Sequence, residues 1–229
     1  MRRILERLRW ALAVWAIGVC STIALAAPKI TIEKWSEAVE ETFDASAAPG
    51  DLPNALFGKA EADAKPWVDW RGAALLSKWD SATKTLVVTD IEEVTISGHT
   101  IIRLPDDAPR YLRDHEYGHD TLNSNEYFHS ARAAVAESLK GLITSKFVGT
   151  GADDDACYHD AVAKAEAERD RRMNDAVTKI IARMDALAGR YDDATNHGKS
   201  SKVDSKLGIE MAIRKRDEAA ATKPATRKS

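Results

Sequence analysis

Two histidines four residues apart, with a glutamate directly after the first, constrain this chain more than any other stretch: His115-Glu116-Tyr117-Gly118-His119. On a helix, positions i and i+4 lie one turn apart on the same face, so both imidazoles can reach one zinc ion. A glutamate beside the first histidine is then placed to act as general base on a zinc-bound water. The bland alternative is a solvated helix end that happens to carry these residues.

The flanking pattern supports a helix here. Pro105-Asp106-Asp107-Ala108-Pro109 reads as a stop followed by a helix start, with Asp107 as cap and Pro109 in the first turn. Leu112, His115 and His119 then share a stripe, which turns the imidazoles toward a core. Asn123-Ser124-Asn125 is expected to break this helix, and a second begins near Glu126 with Ala131, Val135, Leu139 and Leu142 at spacings of three and four. After a polar loop at 149–155, the longest helix spans 156–191. Its residues Met173, Val177, Ile180, Met184, Leu187 and Tyr191 form a seam like a coiled-coil edge. That helix should fold back on the one before it as a long helical hairpin.

Upstream lies a β region. Thr85–Thr89 is short and β-branched, and 93–97 and 100–104 alternate around a turn expected at Gly98-His99. This reads as a hairpin or meander, a small antiparallel sheet whose strand could form the rim of a cleft and take up a peptide along its edge. Residues 46–53 are turn-like, and 54–65 are Ala-rich without a clear period. Trp67, Trp70 and Trp79 read as core or groove wall rather than a sugar platform. The fold class is therefore α+β, mostly α.

Residues 1–26 have the form of a secretory signal: Arg2, Arg3, Arg7 and Arg9, an apolar run from Trp10 to Leu25, and Ala24-Leu25-Ala26 before a cleavage point at Ala27. The run is shorter than the ~20 residues of a membrane span. The expected location is periplasmic or secreted, with membrane contact only through an uncleaved N-terminal segment. Cleavage would remove Cys20 and leave Cys157 alone, so no intrachain disulfide is expected.

The chain carries a formal charge of −3 although both ends are net basic, so the body between them is acidic. That argues against nucleic acid as a partner. Residues 27–198 are read as one domain in two parts, 27–104 and 105–198. Residues 199–229 are read as a basic disordered tail with a transient helix around 207–215. Residues 27–80 could act as a covering segment.

A catalytic zinc site needs three protein ligands and an open position. The extended motif HExxHxxGxxH fails here, because its last two positions are Leu122 and Asn125. Glu126 and His129 would be turned away if one helix continued through them. From spacing alone, Glu137, His197 and neither of these stand level as the source of the third ligand. Asp120 or Asp193 could orient a ligand imidazole, and Tyr191 or Tyr117 could hold an oxyanion.

An HExxH helix, a long helix starting at Cys157, and Tyr191-Asp192-Asp193-Ala194-Thr195-Asn196-His197-Gly198 together resemble a family of bacterial secreted proteins predicted to be zinc-dependent proteases. The match covers about half of the chain after the signal, and 33–79 departs from the family's β-rich start. The resemblance implies a zincin-like fold, Zn2+ held by His115, His119 and His197, Glu116 as the catalytic base, and a peptide or protein substrate. The reading from a different class is a non-catalytic exported helical-hairpin protein whose seam binds a partner, with a structural or vestigial metal site.

Overall fold

The computed structural model describes residues 28–43, 62–199 and 202–222. The expected signal at 1–26, the turn-like 46–53 and most of the Ala-rich stretch lie outside the described residues. Within them the chain is α+β: three helices, a four-stranded mixed sheet and a three-stranded antiparallel sheet. No described helix is long and apolar enough to cross a membrane.

The mixed sheet is built on one strand. β1 (Ile30–Ile32) and β2 (Val39–Phe43) pair in parallel with the two ends of β6 (Val94–Pro105), and β3 (Asp63–Gly72) pairs antiparallel along nearly all of it. Because β3 overlaps both parallel partners in register, β1 and β2 share the opposite edge of β6. Among the described residues no strand pairs with the outer edge of β3. The second sheet is β4 (Leu75–Asp80), β5 (Thr85–Ile91) and β7 (Lys146–Val148), with β5 central.

The turn expected at Gly98-His99 is therefore absent. β6 runs twelve residues unbroken, with Val94, Ile96, Gly98, Thr100, Ile102 and Leu104 all buried on one face. Gly98 is small for a packing reason: a Cβ there would stand 2.5 Å from the Trp35 indole. β5 and β6 belong to different sheets rather than to one hairpin. The strand upstream of the histidine helix is the centre of its sheet, and β3 is an edge strand. The alternation of exposed Trp67, buried Val68, exposed Asp69 and half-buried Trp70 marks β3 in the sequence.

Helix α1 (Arg110–Leu139) carries the histidine motif and lies across the buried face of β6. Trp35 pins it: its indole N–H donates to Asp120 (2.9 Å), and its ring meets Tyr127, whose hydroxyl donates to the Ile96 carbonyl (2.6 Å). The helix starts after Pro109, and Asp107 does not cap it. Nor does it break at Asn123-Ser124-Asn125. Asn123 donates to Thr100 (3.3 Å) and Asn125 accepts from Arg216 (2.9 Å), so these side chains have partners elsewhere and leave the helical backbone alone.

Helix α2 (Asp154–Thr195) is capped by Asp153, which accepts from the Ala156 amide (2.8 Å). It returns antiparallel along α1. Asp192 near its end meets His115 near the start of α1, while Arg172 near its middle donates to the Ser138 carbonyl near the end of α1 (3.1 Å). Met173, Ile180, Met184, Leu187 and Tyr191 are buried and Val177 partly so, which closes the seam inside the chain's own core. Each such side chain contributes about 1.5–3 kcal/mol by burial.

Residues 205–221 are not a disordered tail. They form α3 (Ser205–Ala221), capped by Asp204 and packed on the hairpin through Ala212 against Leu122, Leu187 and Tyr191. Gly208 permits this approach, since a Cβ would stand 2.5 Å from Thr195 and 2.9 Å from Tyr191. Arg216 closes the contact with an ion pair to buried Glu126 (3.0 Å). Breaking a buried pair from one side costs about 3–5 kcal/mol. Arg216→Met should therefore loosen α3 alone. Hydrogen exchange should speed up across 205–221 and stay slow at 173–187; unchanged exchange in α3 would contradict this docking.

Candidate metal centre

His115 and His119 stand on the inner face of the first turns of α1, 3% and 7% exposed. Their rings meet edge to face with centroids 4.9 Å apart. Their Nε2 atoms are 3.3 Å apart, and Asp192 Oδ1 lies 3.1 Å from one and 3.0 Å from the other. These three residues form a group that could hold a metal ion, with all ligand atoms within 4.8 Å of one another. The spacing fits that use: ligands bonded at 2.0–2.1 Å to a four-coordinate ion stand roughly 3.3–3.4 Å apart.

The third member is Asp192. His197 lies outside the group; its side chain is 71% exposed and its Nδ1 is 3.7 Å from Asp192 Oδ1. Glu137 is excluded by the continuity of α1. Eighteen residues at 1.5 Å each carry it roughly 27 Å up the same helix from His119, and it is exposed there. The sequence held one hint of Asp192. It falls in the last turn of α2, where the helix dipole disfavours acids, and no basic residue shares that turn.

Tyr191 and Thr195 brace the imidazoles. The Tyr191 ring stacks on His115 at 4.8 Å and meets His119 edge-on at 4.9 Å, while its hydroxyl donates to the His115 carbonyl (3.2 Å). The glycine inside the motif makes room for it, since a Cβ on Gly118 would stand 2.1 Å from that hydroxyl. Burial pushes the Tyr191 phenol up to about 12. A phenol so enclosed and engaged cannot hold an oxyanion in the cleft. Tyr117 is occupied elsewhere: it donates to Glu40 (2.8 Å) and lines another cavity.

Thr195 donates to the Tyr191 carbonyl (2.9 Å), which leaves its oxygen to accept from His115 Nδ1 (3.4 Å). With an ion bound at Nε2, His115 would carry its proton on Nδ1 and donate it to Thr195, the form a metal ligand needs. Among the described residues His119 Nδ1 has no hydrogen-bond partner, and it is buried. Asp120, expected as an orienting group, serves Trp35 instead, and Asp193 is exposed.

The group opens on a cleft of about 790 Å³ between the first residues of β3, the start of α1 and the end of α2. Glu116 lines it, 5% exposed. Burial is the main influence on its carboxyl and, with Asp63 and Asp192 adding and His119 opposing, raises it to about 7. Burial alone would also raise Asp192, but hydrogen bonds from His115 and His119 outweigh it and hold that carboxyl well below the usual range. The site thus contains one carboxylate fixed as an anion and one poised to exchange a proton near neutrality.

Compared with protein-family models, curated proteins and solved structures, the chain matches none of them. The site's chemistry rests on its own geometry. Asp192→Ala should remove one of three donors and weaken ion binding by at least about a hundredfold. Thr195→Val, which only unties one imidazole, should cost about tenfold. Titration of the metal-free protein with Zn2+ measures both, and an Asp192 variant that binds as tightly as the parent would contradict the ligand set.

Proposed function

We propose that this protein is an exported zinc-dependent metalloprotease that hydrolyses peptide bonds with Glu116 as general base. The observation that carries this reading is the set of His115, His119 and Asp192 atoms at ligand spacing, beside Glu116, on the wall of an open cleft. Two imidazoles and a carboxylate are a donor set that suits zinc better than calcium or magnesium. When bound, such an ion acts as a Lewis acid that polarises a carbonyl and acidifies water. Three protein donors would leave a position open, as catalytic rather than structural sites do.

Glu116 supplies the proton chemistry. Its carboxylate accepts the proton of the attacking water and hands it to the departing amine. Burial keeps it dry enough to work near neutral pH, and Tyr191, Thr195 and Gly118 hold α1 and α2 in register so that Glu116 and the donors stay on the lining of one cleft. Asp63, Ala64, Lys65 and Pro66 at the start of β3 line the cleft. With the outer edge of β3 unpaired among the described residues, an extended peptide can lie along it by strand addition. Export rests on the form of residues 1–26. The partner-binding alternative is weakened because the seam it relied on is buried within this chain.

Glu116→Gln should retain one equivalent of metal and lose casein hydrolysis by at least a thousandfold, as measured by metal analysis and release of acid-soluble peptides. Chelator should abolish the parent's activity and Zn2+ restore it. Full activity in the glutamine variant, or in the presence of chelator, would remove the mechanism.

A further inference from the structure

His197 is set into the cleft by a turn built against the metal centre. Asn196, His197 and Gly198 all have positive φ (51°, 52° and 73°), a conformation that non-glycine residues adopt only at a cost of about 1–3 kcal/mol each. Three contacts hold the turn. The His197 amide donates to the Asp192 carbonyl (3.1 Å), the Gly198 amide donates to Thr195 Oγ1 (3.4 Å), and Gly198 packs so closely on His115 that a Cβ would stand 3.0 Å from its Cβ. The imidazole that results lines the cleft at 71% exposure, beside Asp192 but outside the ligand group. It has none of the enclosure that braces His115 and His119.

Hydrolysis of an amide develops negative charge on the carbonyl oxygen, and donors aimed at that oxygen contribute strongly to rate. Neither tyrosine near the motif is available for it. Among the described residues, and apart from the ligand histidines, the side-chain N–H donors lining the cleft are Lys65, His197 and Lys199. Lys65 is paired with Asp63 (3.3 Å), and the long stem of Lys199 fixes no donor position. His197 is the donor whose backbone is locked next to the centre.

We infer that His197 is a catalytic residue of this cleft, donating an imidazole N–H to the substrate's carbonyl oxygen as it becomes an oxyanion. The inference rests on the hydrolytic reading above and adds to it a residue that binds substrate rather than metal. Its role explains why the motif spanning the end of α2 carries both an aspartate and a histidine: Asp192 serves the ion and His197 the substrate.

The test compares the parent with His197→Ala and His197→Gln, the latter keeping an N–H donor. Readouts are zinc affinity, kcat and KM on a fluorogenic peptide cleaved by the parent, and calorimetric affinity for a peptide phosphinate of matched sequence, whose tetrahedral oxyanion mimics the transition state. In His197→Ala, kcat should fall about a hundredfold to a thousandfold with KM within about threefold, phosphinate binding should weaken by a similar factor, and zinc affinity should not change. Glutamine should restore part of both losses. Lost zinc affinity in His197→Ala would make it a ligand and overturn the inference, as would unchanged kcat and phosphinate affinity. If the parent cleaves no peptide, the hydrolytic reading fails on its own. Phosphinate affinity then decides for His197: equal binding by parent and variant, or no binding by the parent, overturns it.

Discussion

Two imidazole nitrogens and a carboxylate oxygen are held within 3.0–3.3 Å of one another in a largely buried pocket, and the rest of the fold is arranged to keep them there. Their lone pairs would repel unless protons or a cation stand between them. The antiparallel return of α2 along α1 enforces the approach, because it sets the last turn of one helix on the first turns of the other. Tyr191 and Thr195 belong to the same turns of α2 as Asp192, so one helical face delivers the donor, the stacking ring and the hydroxyl that orients His115. Gly118 is the matching concession on α1.

The sheets locate this helix pair. β6 offers a wholly buried face to α1; Tyr127 and Asn123 tie the helix to that strand through hydrogen bonds to Ile96 and Thr100, and Trp35, set against Gly98 of β6, adds one to Asp120. β3 then runs along the side of the cleft with its first residues opposite α2. From behind, α3 presses on Tyr191 and Thr195 through Gly208, so the C-terminal helix supports the residues that hold the imidazoles. The layers thus connect burial far from the cleft to the position of a few atoms within it.

Much of this was legible in the residues. The histidine pair, the seam of α2 and the helical hairpin followed from spacing, since periods of three and four survive tertiary context when one face is buried. Other features were not, for physical reasons. Gly98 has the look of a turn residue, yet its lack of a side chain serves Trp35, more than sixty residues away in sequence. Asn123 and Asn125 favour helix ends in isolation but satisfy their amides against Thr100 and Arg216. That Asp192 rather than His197 stands with the histidine pair could not be told by spacing, because a shift of five residues at a helix exit changes which side chain faces inward. α3 was hidden by a charged composition whose apolar content is small but well placed at Gly208 and Ala212.

The most direct test is where an ion sits. Crystals of the zinc-loaded protein, measured on both sides of the zinc absorption edge, would give an anomalous peak for any bound zinc. The account predicts one peak about 2.0–2.2 Å from Nε2 of His115, Nε2 of His119 and a carboxylate oxygen of Asp192, with the His197 ring outside bonding distance. An empty pocket between those three side chains, or a peak ligated by His197 in place of Asp192, would contradict it.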